Sequence, residues 1–557
     1  MKAAPVFLSF FERLRKPESI LICILLTTAI LRFAFLDLKL YHHDEAVHAW
    51  FAYKLLTEGT YIYDPVFHGP FLFYVTAGLF SIFGDTDLVG RLLPAILGTA
   101  LVALVYPLYR LGYIDGRQMV IAGLFLAISP NMVYFSRFLR NDIFIAFFSL
   151  LLVVAALAYF QSGKARFALV AGLAAGLGMS SKENMPIVLV IFGAYLVYAL
   201  QSRRLIFPKT WRRDILSAAL LGGSIMAIFY SSFGAHPEIV LRAGQMAISH
   251  WTEMHGIERL GGPWYYYLIL FVLYEVPILI LAAVGILRFT IGGPIIGSVR
   301  SHLQACRSRR DASPDDISCT HPSPPQFSLK ERLSSFFRRP EAGRVFDPRH
   351  EFIRFCIWWM IASLAVYAYI GEKVPWLILH QLLPMIFVAT YFFSTDGTKD
   401  GMKYLKAVVL AVALLFLAVM TMHVAFTPAD ISEPIVQVQN SEELRELMVI
   451  IDESDNVAIA TSTFWPLPWY YRGDQWSKFT YYGEKPDAGI LLARDFDLII
   501  AHDRDSFEEL PGYEKTTMRH SYWLGYHQVN ERLIPYYFTR QAPVGSIRYD
   551  LFTQVSG

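Results

Sequence analysis

The polar residues able to do chemistry lie in a few short runs between long apolar stretches. Tyr41-His42-His43-Asp44-Glu45-Ala46 sets two carboxylates beside two imidazoles, with His48 four residues after Asp44. Phe67-His68-Gly69-Pro70, Gly84-Asp85-Thr86-Asp87 and Arg91 follow. Arg137, Arg140, Asn141 and Asp142 come next, then Ser181-Lys182-Glu183-Asn184, and later Gly371-Glu372-Lys373-Val374-Pro375-Trp376 with His380. Val47, Trp50, Phe51 and Leu55 recur at i, i+3, i+4 and i+8, the apolar stripe of a helix lying in a membrane surface. Asp44 and His48 share another face of that helix, and Pro70 to Phe83 is a second apolar, aromatic stretch suited to the same depth. Ionisable groups at a membrane edge are costly and call for a functional account. A carboxylate held there would sit where a lipid headgroup sits, a geometry suited to chemistry on a lipid-linked substrate.

What must position these residues is a membrane domain. The 557 residues are 55% hydrophobic, 15% aromatic and only 17% charged, with mean hydropathy +0.39, the composition of an integral membrane protein. A net charge of +2 gives no ground for a nucleic-acid partner, and four scattered cysteines give none for a disulfide framework or zinc site. Apolar stretches near the ~20 residues needed to span a bilayer predict about eleven transmembrane helices. They lie near residues 18–36, 88–110, 118–134, 142–161, 166–180, 186–201, 214–232, 264–288, 352–370, 376–394 and 405–424. The first is too long for a signal-peptide core and lacks a small-residue cleavage site, so it reads as a retained anchor. Every second short loop is basic (Arg13, Arg15 and Lys16; Arg110 and Arg117; Lys164 and Arg166; Arg203 to Arg213), which places the N-terminus inside and the C-terminus outside. The polar runs then share the outer face.

The expected fold is therefore an α-helical polytopic membrane domain over 1–424, with an interfacial outer loop at 37–87, followed by a small extracytoplasmic α/β domain over 425–557. Residues 290–350 carry ten Lys and Arg against six Asp and Glu and are rich in Ser and Pro, as in a cytoplasmic insertion. Residues 425–557 have the opposite bias, −9, with strand-like 456–461 and 496–502 and a helix-like 442–451. Trp465, Trp469, Tyr470, Tyr471, Trp476, Tyr481 and Tyr482 crowd this tail, either as core or as surfaces for sugar rings and lipid headgroups.

An acidic pair after the first helix, His68-Gly69-Pro70, Arg91 opening the second helix, and Ser129-Pro130 through Tyr134 to Arg137, Arg140 and Asp142 together form a pattern. It resembles the polytopic lipid-phosphate-sugar glycosyltransferases of the C-type (GT-C) fold, the superfamily of protein O-mannosyltransferases and aminoarabinose transferases. Within it, the His-Asp-Glu-Ala and Gly-Glu-Lys-Val-Pro-Trp runs are most similar to archaeal membrane proteins associated with flippase activity in N-glycosylation. One departure is Gly69 before a single Pro70, where that superfamily commonly has two prolines.

The resemblance implies a membrane glycosyltransferase that moves a sugar from a polyprenyl- or dolichyl-phosphate donor to a glycan, protein or lipid acceptor at the outer face, with inversion. Such a single displacement needs a base for the acceptor hydroxyl and cations for the departing phosphate. Asp44 is the candidate base; Glu45 lies about 100° around the helix, so only one of the two can point at the acceptor. His43 or His48 would orient the carboxylate. Arg140, Lys182 and Lys373 are the candidates for the phosphate, with Arg91, Arg137, His68 and His380 in reserve and Asp142 at the same helix start. Arg137 or Arg140 alone would serve equally as a snorkelling anchor, and an interfacial anchor is the lesser alternative for Lys182 and Lys373. No obligatory cofactor is expected; a divalent cation among the carboxylates and histidines is the alternative, since spacing does not select a ligand set. A non-catalytic protein that assists translocation of lipid-linked sugars would use the same basic cavity without a base.

Overall fold

The computed structural model describes residues 16–59, 61–257, 262–290, 347–394, 400–427 and 433–555. Among the described residues, the elements as far as Phe426 are helices, and a six-stranded sheet follows. Each of the eleven predicted apolar stretches is helical. Six are long and apolar enough to cross a membrane: Asp87–Arg110, Asp142–Ser162, Trp211–Tyr230, Pro348–Tyr369, Pro375–Phe393 and Gly401–Phe426. Pro17–Phe33, Gly116–Ile128, Ala165–Met179 and Met185–Gln201 are shorter, at 17, 13, 15 and 17 residues.

Two stretches break where the sequence reading ran straight through. The expected span at 264–288 is a pair of helices, Tyr266–Tyr274 and Val276–Thr290, bent by 110° at Glu275. Pro277 has no amide hydrogen to continue the ladder and favours a new helix start. The Glu275 carboxylate turns instead to Ser129 Oγ (2.5 Å), the Asn131 amide N–H (3.1 Å) and Asn131 Nδ2 (3.0 Å). Those groups belong to the second break, where Ser129 precedes Pro130 and leaves the helical region at ψ 128°. The Ser-Pro pair thus ends one helix and caps the next, Pro130–Phe135. A buried carboxylate from a broken helix receives the exposed donors of that new N-terminus.

The loop at 37–87 contains the two helices expected, His43–Glu58 and Phe71–Phe83. The start of the first is set by a reciprocal cap: His42 Nδ1 accepts from the Asp44 N–H (3.1 Å) and the Glu45 carboxylate accepts from the His42 N–H (3.0 Å). Gly59, at φ 75°, ends it.

Beyond the last helix, the sheet runs in the order β1-β5-β6-β4-β2-β3: Gln439–Asn440, Tyr513–Trp523, Gly545–Gln554, Leu498–His502, Val457–Ala460 and Phe479–Tyr481. β2, β3 and β4 are parallel; β6 joins β4 antiparallel, and β5 and β1 continue antiparallel. β2 and β4 are almost wholly buried, which is why their uninterrupted apolar runs were legible. One face is covered by the helix Leu444–Asp452 through Leu444, Leu447 and Ile451. The long β5–β6 pair was missed, because its half-exposed residues carry no strong pattern. Leu40 of the 37–87 loop sits in the core of this sheet domain. Asp87 accepts from Trp469 Nε1 (2.7 Å) and Tyr470 Oη (2.8 Å), and Arg472 pairs with Asp85 at 2.5 Å, so the sheet domain is docked on that loop. Residues 291–346 of the expected cytoplasmic insertion lie outside the described residues.

Candidate active site

Three backbone junctions bring the site together. The first is at Leu139, whose amide donates to Glu45 Oε1 (2.8 Å) while its carbonyl accepts from His48 Nδ1 (2.9 Å). Glu45 and His48 are three apart on one helix face, so this grip lays the following residue, Arg140, beside Asp44. The second is at Gly69. Its amide donates to the Ser181 carbonyl (3.0 Å) and the Phe71 amide to that of Ser180 (2.9 Å), tying the His68 loop to the Lys182 loop. A Cβ at Gly69 would lie 2.2 Å from the Ser180 oxygen, so no second proline fits in this chain. The third is the start of the helix Asp142–Ser162, which carries Asp142 two residues past Arg140.

A chain of alternating charge results. The Arg140 guanidinium pairs with Asp44, lies 3.3 Å from Asp142 Oδ2 and 3.5 Å from His68 Nε2, and stands over the Trp376 ring at 3.6 Å. Lys182 Nζ reaches both Asp142 oxygens, at 2.8 and 3.0 Å, and His380 Nε2 is 3.6 Å from the same carboxylate. His380 in turn stacks on Tyr367, centroids 5.4 Å apart. His68 Nδ1 donates to Glu183 (3.0 Å), which also accepts from Tyr63 Oη (3.2 Å). His68 adopts φ 68°, strained for a residue with a side chain, as is common where a loop is forced to present a functional group.

Burial decides which members are open. Asp44 is 29% exposed at its side chain, whereas Asp142 and Lys182 are 1% and 2% exposed. Burial works against the Asp44 anion, but Arg140 and the neighbouring histidines hold its carboxyl well below the usual range. Burial, with Arg140 adding to it, pushes His48 down to about 3. His48 is therefore neutral, with its proton on the Nδ1 that bonds Leu139. His68 is lowered by burial and by Lys182, and burial lowers Lys182 itself.

The other candidates are engaged elsewhere. Glu45 is buried with both oxygens occupied: Arg91 Nε at 2.8 Å and Nη2 at 2.6 Å, plus the His42 and Leu139 amides. Arg91 also bonds the carbonyls of Leu36, Lys39 and Leu40, so this pair clamps the loop and does not face the site. Arg137 donates to the carbonyls of Leu31, Ala34 and Phe35 at the end of Pro17–Phe33 and covers Phe426. Lys373 donates to the carbonyls of Tyr367, Ala368 and Ile370, capping Pro348–Tyr369. His43 points toward the sheet domain, 6.4 Å from Trp465. Sequence reasoning left Trp376, Glu183 and Tyr367 out of the site; only their adjacency to Lys373, Lys182 and a helix end marked them.

Among the described residues no three His, Cys, Asp or Glu side chains converge as metal ligands would, and Asp44, Glu45 and Asp142 each face a guanidinium or ammonium group. A cavity of about 940 Å³ is lined by Glu183 and mainly by apolar residues such as Met179, Ile187, Met226, Ala243 and Ile248, with Tyr367 and Glu372 among its polar lining.

Residues 67–233 match the family of dolichyl-phosphate-mannose-protein mannosyltransferases. No curated protein matches the sequence. Among solved structures the chain is similar to ArnT from Cupriavidus metallidurans bound to undecaprenyl phosphate, at 12% identity and TM-score 0.54, over 96% of this chain and 98% of that one. It is also similar to the archaeal oligosaccharyltransferase AglB from Archaeoglobus fulgidus in complex with an inhibitory peptide and a dolichol-phosphate, at 13% identity and TM-score 0.47, over 87% of this chain and 69% of that one. With ArnT aligned almost end to end, the architecture is decided: this chain has the fold of the C-type glycosyltransferases.

Proposed function

We propose that this protein is a membrane glycosyltransferase that passes a sugar from a polyprenyl- or dolichyl-phosphate donor to an acceptor hydroxyl at the extracytoplasmic face, with inversion. The observation that carries this reading is the Asp44–Arg140–Asp142–Lys182 chain, joined through His68 to Glu183, which lines an apolar cavity of about 940 Å³. A prenyl phosphate is an apolar tail with a charged head, and cavity and cations divide in the same way. The family match and the undecaprenyl phosphate in the ArnT structure are in keeping with it.

In the proposed reaction Asp44 takes the proton of the acceptor hydroxyl as its oxygen bonds to the anomeric carbon, and the bond from that carbon to the phosphate oxygen breaks. Arg140, with Lys182 behind Asp142, receives the negative charge of the departing lipid phosphate. Asp142 keeps two cations together without cancelling them, since it faces two positive groups with one negative charge. Arg140 sits on Asp44 before donor arrives, so the phosphate both binds and frees the base. Incubating purified protein with a labelled dolichyl-phosphate mannose and a mixed acceptor pool, and scoring lipid phosphate released, tests the reading. Release that is lost in Asp44→Asn supports it. Tight donor binding with no release favours assistance to lipid-linked sugar translocation instead.

A further inference from the structure

Two sets of aromatic residues lie in the part of the tail nearest the helix His43–Glu58. Trp469 and Tyr471 are buried, and Tyr470 is tied to Asp87 and to the Tyr41 amide, so these three hold the sheet domain together or dock it. The second set forms a row. Trp465 lies 6.4 Å from His43 and 5.8 Å from Trp50, both on the helix whose first turn carries Asp44. Phe464 is nearly parallel to Trp465, centroids 6.3 Å apart at 20°, and reaches Tyr481 at 5.2 Å and Trp476 at 6.5 Å. Trp476 stacks on Phe479 at 4.7 Å and 23°. Phe464, Trp465, Trp476 and Phe479 are half-buried, Trp476 and Phe479 with one side on the sheet core, and Tyr481 is 53% exposed on the edge strand β3.

We propose that this row is a platform for the sugar rings of a glycan acceptor, leading its terminal hydroxyl to Asp44. A pyranose has apolar C–H faces and a rim of hydroxyls, and the row offers aromatic faces with polar groups between them. The Ser462 hydroxyl pairs with the Glu484 carboxylate, three residues past Tyr481, and Asp474 and Gln475 are exposed in the 3-10 helix Gly473–Lys478 that carries Trp476. A lipid or a protein core would select a continuous apolar face, and this one is interrupted at every second or third residue. The row also begins against His43, the chain neighbour of the carboxylate that the transfer requires. That the bound glycan is an acceptor rests on the glycosyltransferase reading; the binding itself does not.

The test uses the full-length protein in detergent, without donor, titrated with oligomannosides of one to four residues and followed by tryptophan fluorescence and calorimetry. Affinity is expected to rise with length. Tyr481→Ala, at an exposed edge, should leave monosaccharide binding unchanged and weaken the tetrasaccharide about three- to tenfold. Trp465→Ala should weaken every length and Trp465→Phe should restore most of the loss. No saccharide binding, no dependence on length, or preferential binding of a serine-containing peptide along β3 would overturn the proposal. Lipid phosphate release is scored separately on the same preparations. Sugars that bind without any donor turnover would leave the platform standing and sink the transferase reading; turnover with no effect of Tyr481→Ala or Trp465→Ala on acceptor use would do the reverse.

Discussion

Arg140 stands over Trp376 with its guanidinium carbon 3.6 Å from the ring centroid, while its N–H edge meets Asp44. The ring restrains the guanidinium plane, so the fork of donors stays aimed at the space between Asp44 and Asp142. A lysine there would keep the charge and lose both the stacking and the fork.

Asp44→Asn should lower transfer by roughly 10²–10⁴, the range for losing a general base, while donor binding is kept or tightened because Arg140 no longer has a carboxylate to leave. Single-turnover kinetics beside donor titration measure the two separately. Near-normal turnover would remove Asp44 from the chemistry.

Arg140→Ala should weaken donor binding about 10- to 100-fold, as for a lost hydrogen bond to a charged group, and Arg140→Lys should recover only part of it. Titration with dolichyl phosphate lacking a sugar isolates the phosphate contribution. Unchanged affinity would leave Arg140 as an anchor.

Glu45→Gln separates the two carboxylates. It leaves Arg91 buried without its counter-charge, which should cost about 3–5 kcal/mol of stability. Thermal unfolding in detergent should show the loss. A variant of normal stability with no transfer would shift the base to Glu45.

The pH profile carries the sign of the Asp44–Arg140 pair. In free enzyme the pair depresses the Asp44 pKa, so the base stays ionised and the acid limb of kcat/KM should fall below the usual carboxylate range. Once donor phosphate has taken Arg140, Asp44 loses that support and its pKa rises, so the acid limb of kcat should lie at higher pH. Neither His42 nor His48, lowered by burial to about 4 and about 3, should give a limb near pH ~6.5. Coincident acid limbs would mean that Arg140 stays on Asp44 throughout.

Topology is tested with single cysteines on a cysteine-free background. An impermeant reagent should label exposed positions Glu58 and Glu484 from outside and leave Lys164, also exposed, unlabelled in sealed vesicles. The inverse pattern would put the chemistry on the other face.

The sequence by itself determined the apolar segments, because bilayer thickness sets how long such a run must be, and it determined β2 and β4, whose burial on both faces leaves an unbroken apolar run. It also marked the acidic pair and the cations as types. Their division of labour came from contacts between residues far apart in the chain: 44 with 140, 45 with 91, 68 with 183, and 142 with 182 and 380. Asp44 and Glu45 differ by one step around a helix, yet that step turns one toward Arg140 and buries the other in a cap. Arg137 and Arg140 are one helical turn apart in number, but one closes the end of Pro17–Phe33 and the other faces the site. Lys182 and Lys373 are alike in sequence setting, yet Lys182 meets Asp142 and Lys373 donates to helix-end carbonyls. No local pattern encodes such choices, because a charge is assigned by whichever opposite charge or unpaired carbonyl the packed helices bring within reach, and only the tertiary structure decides that.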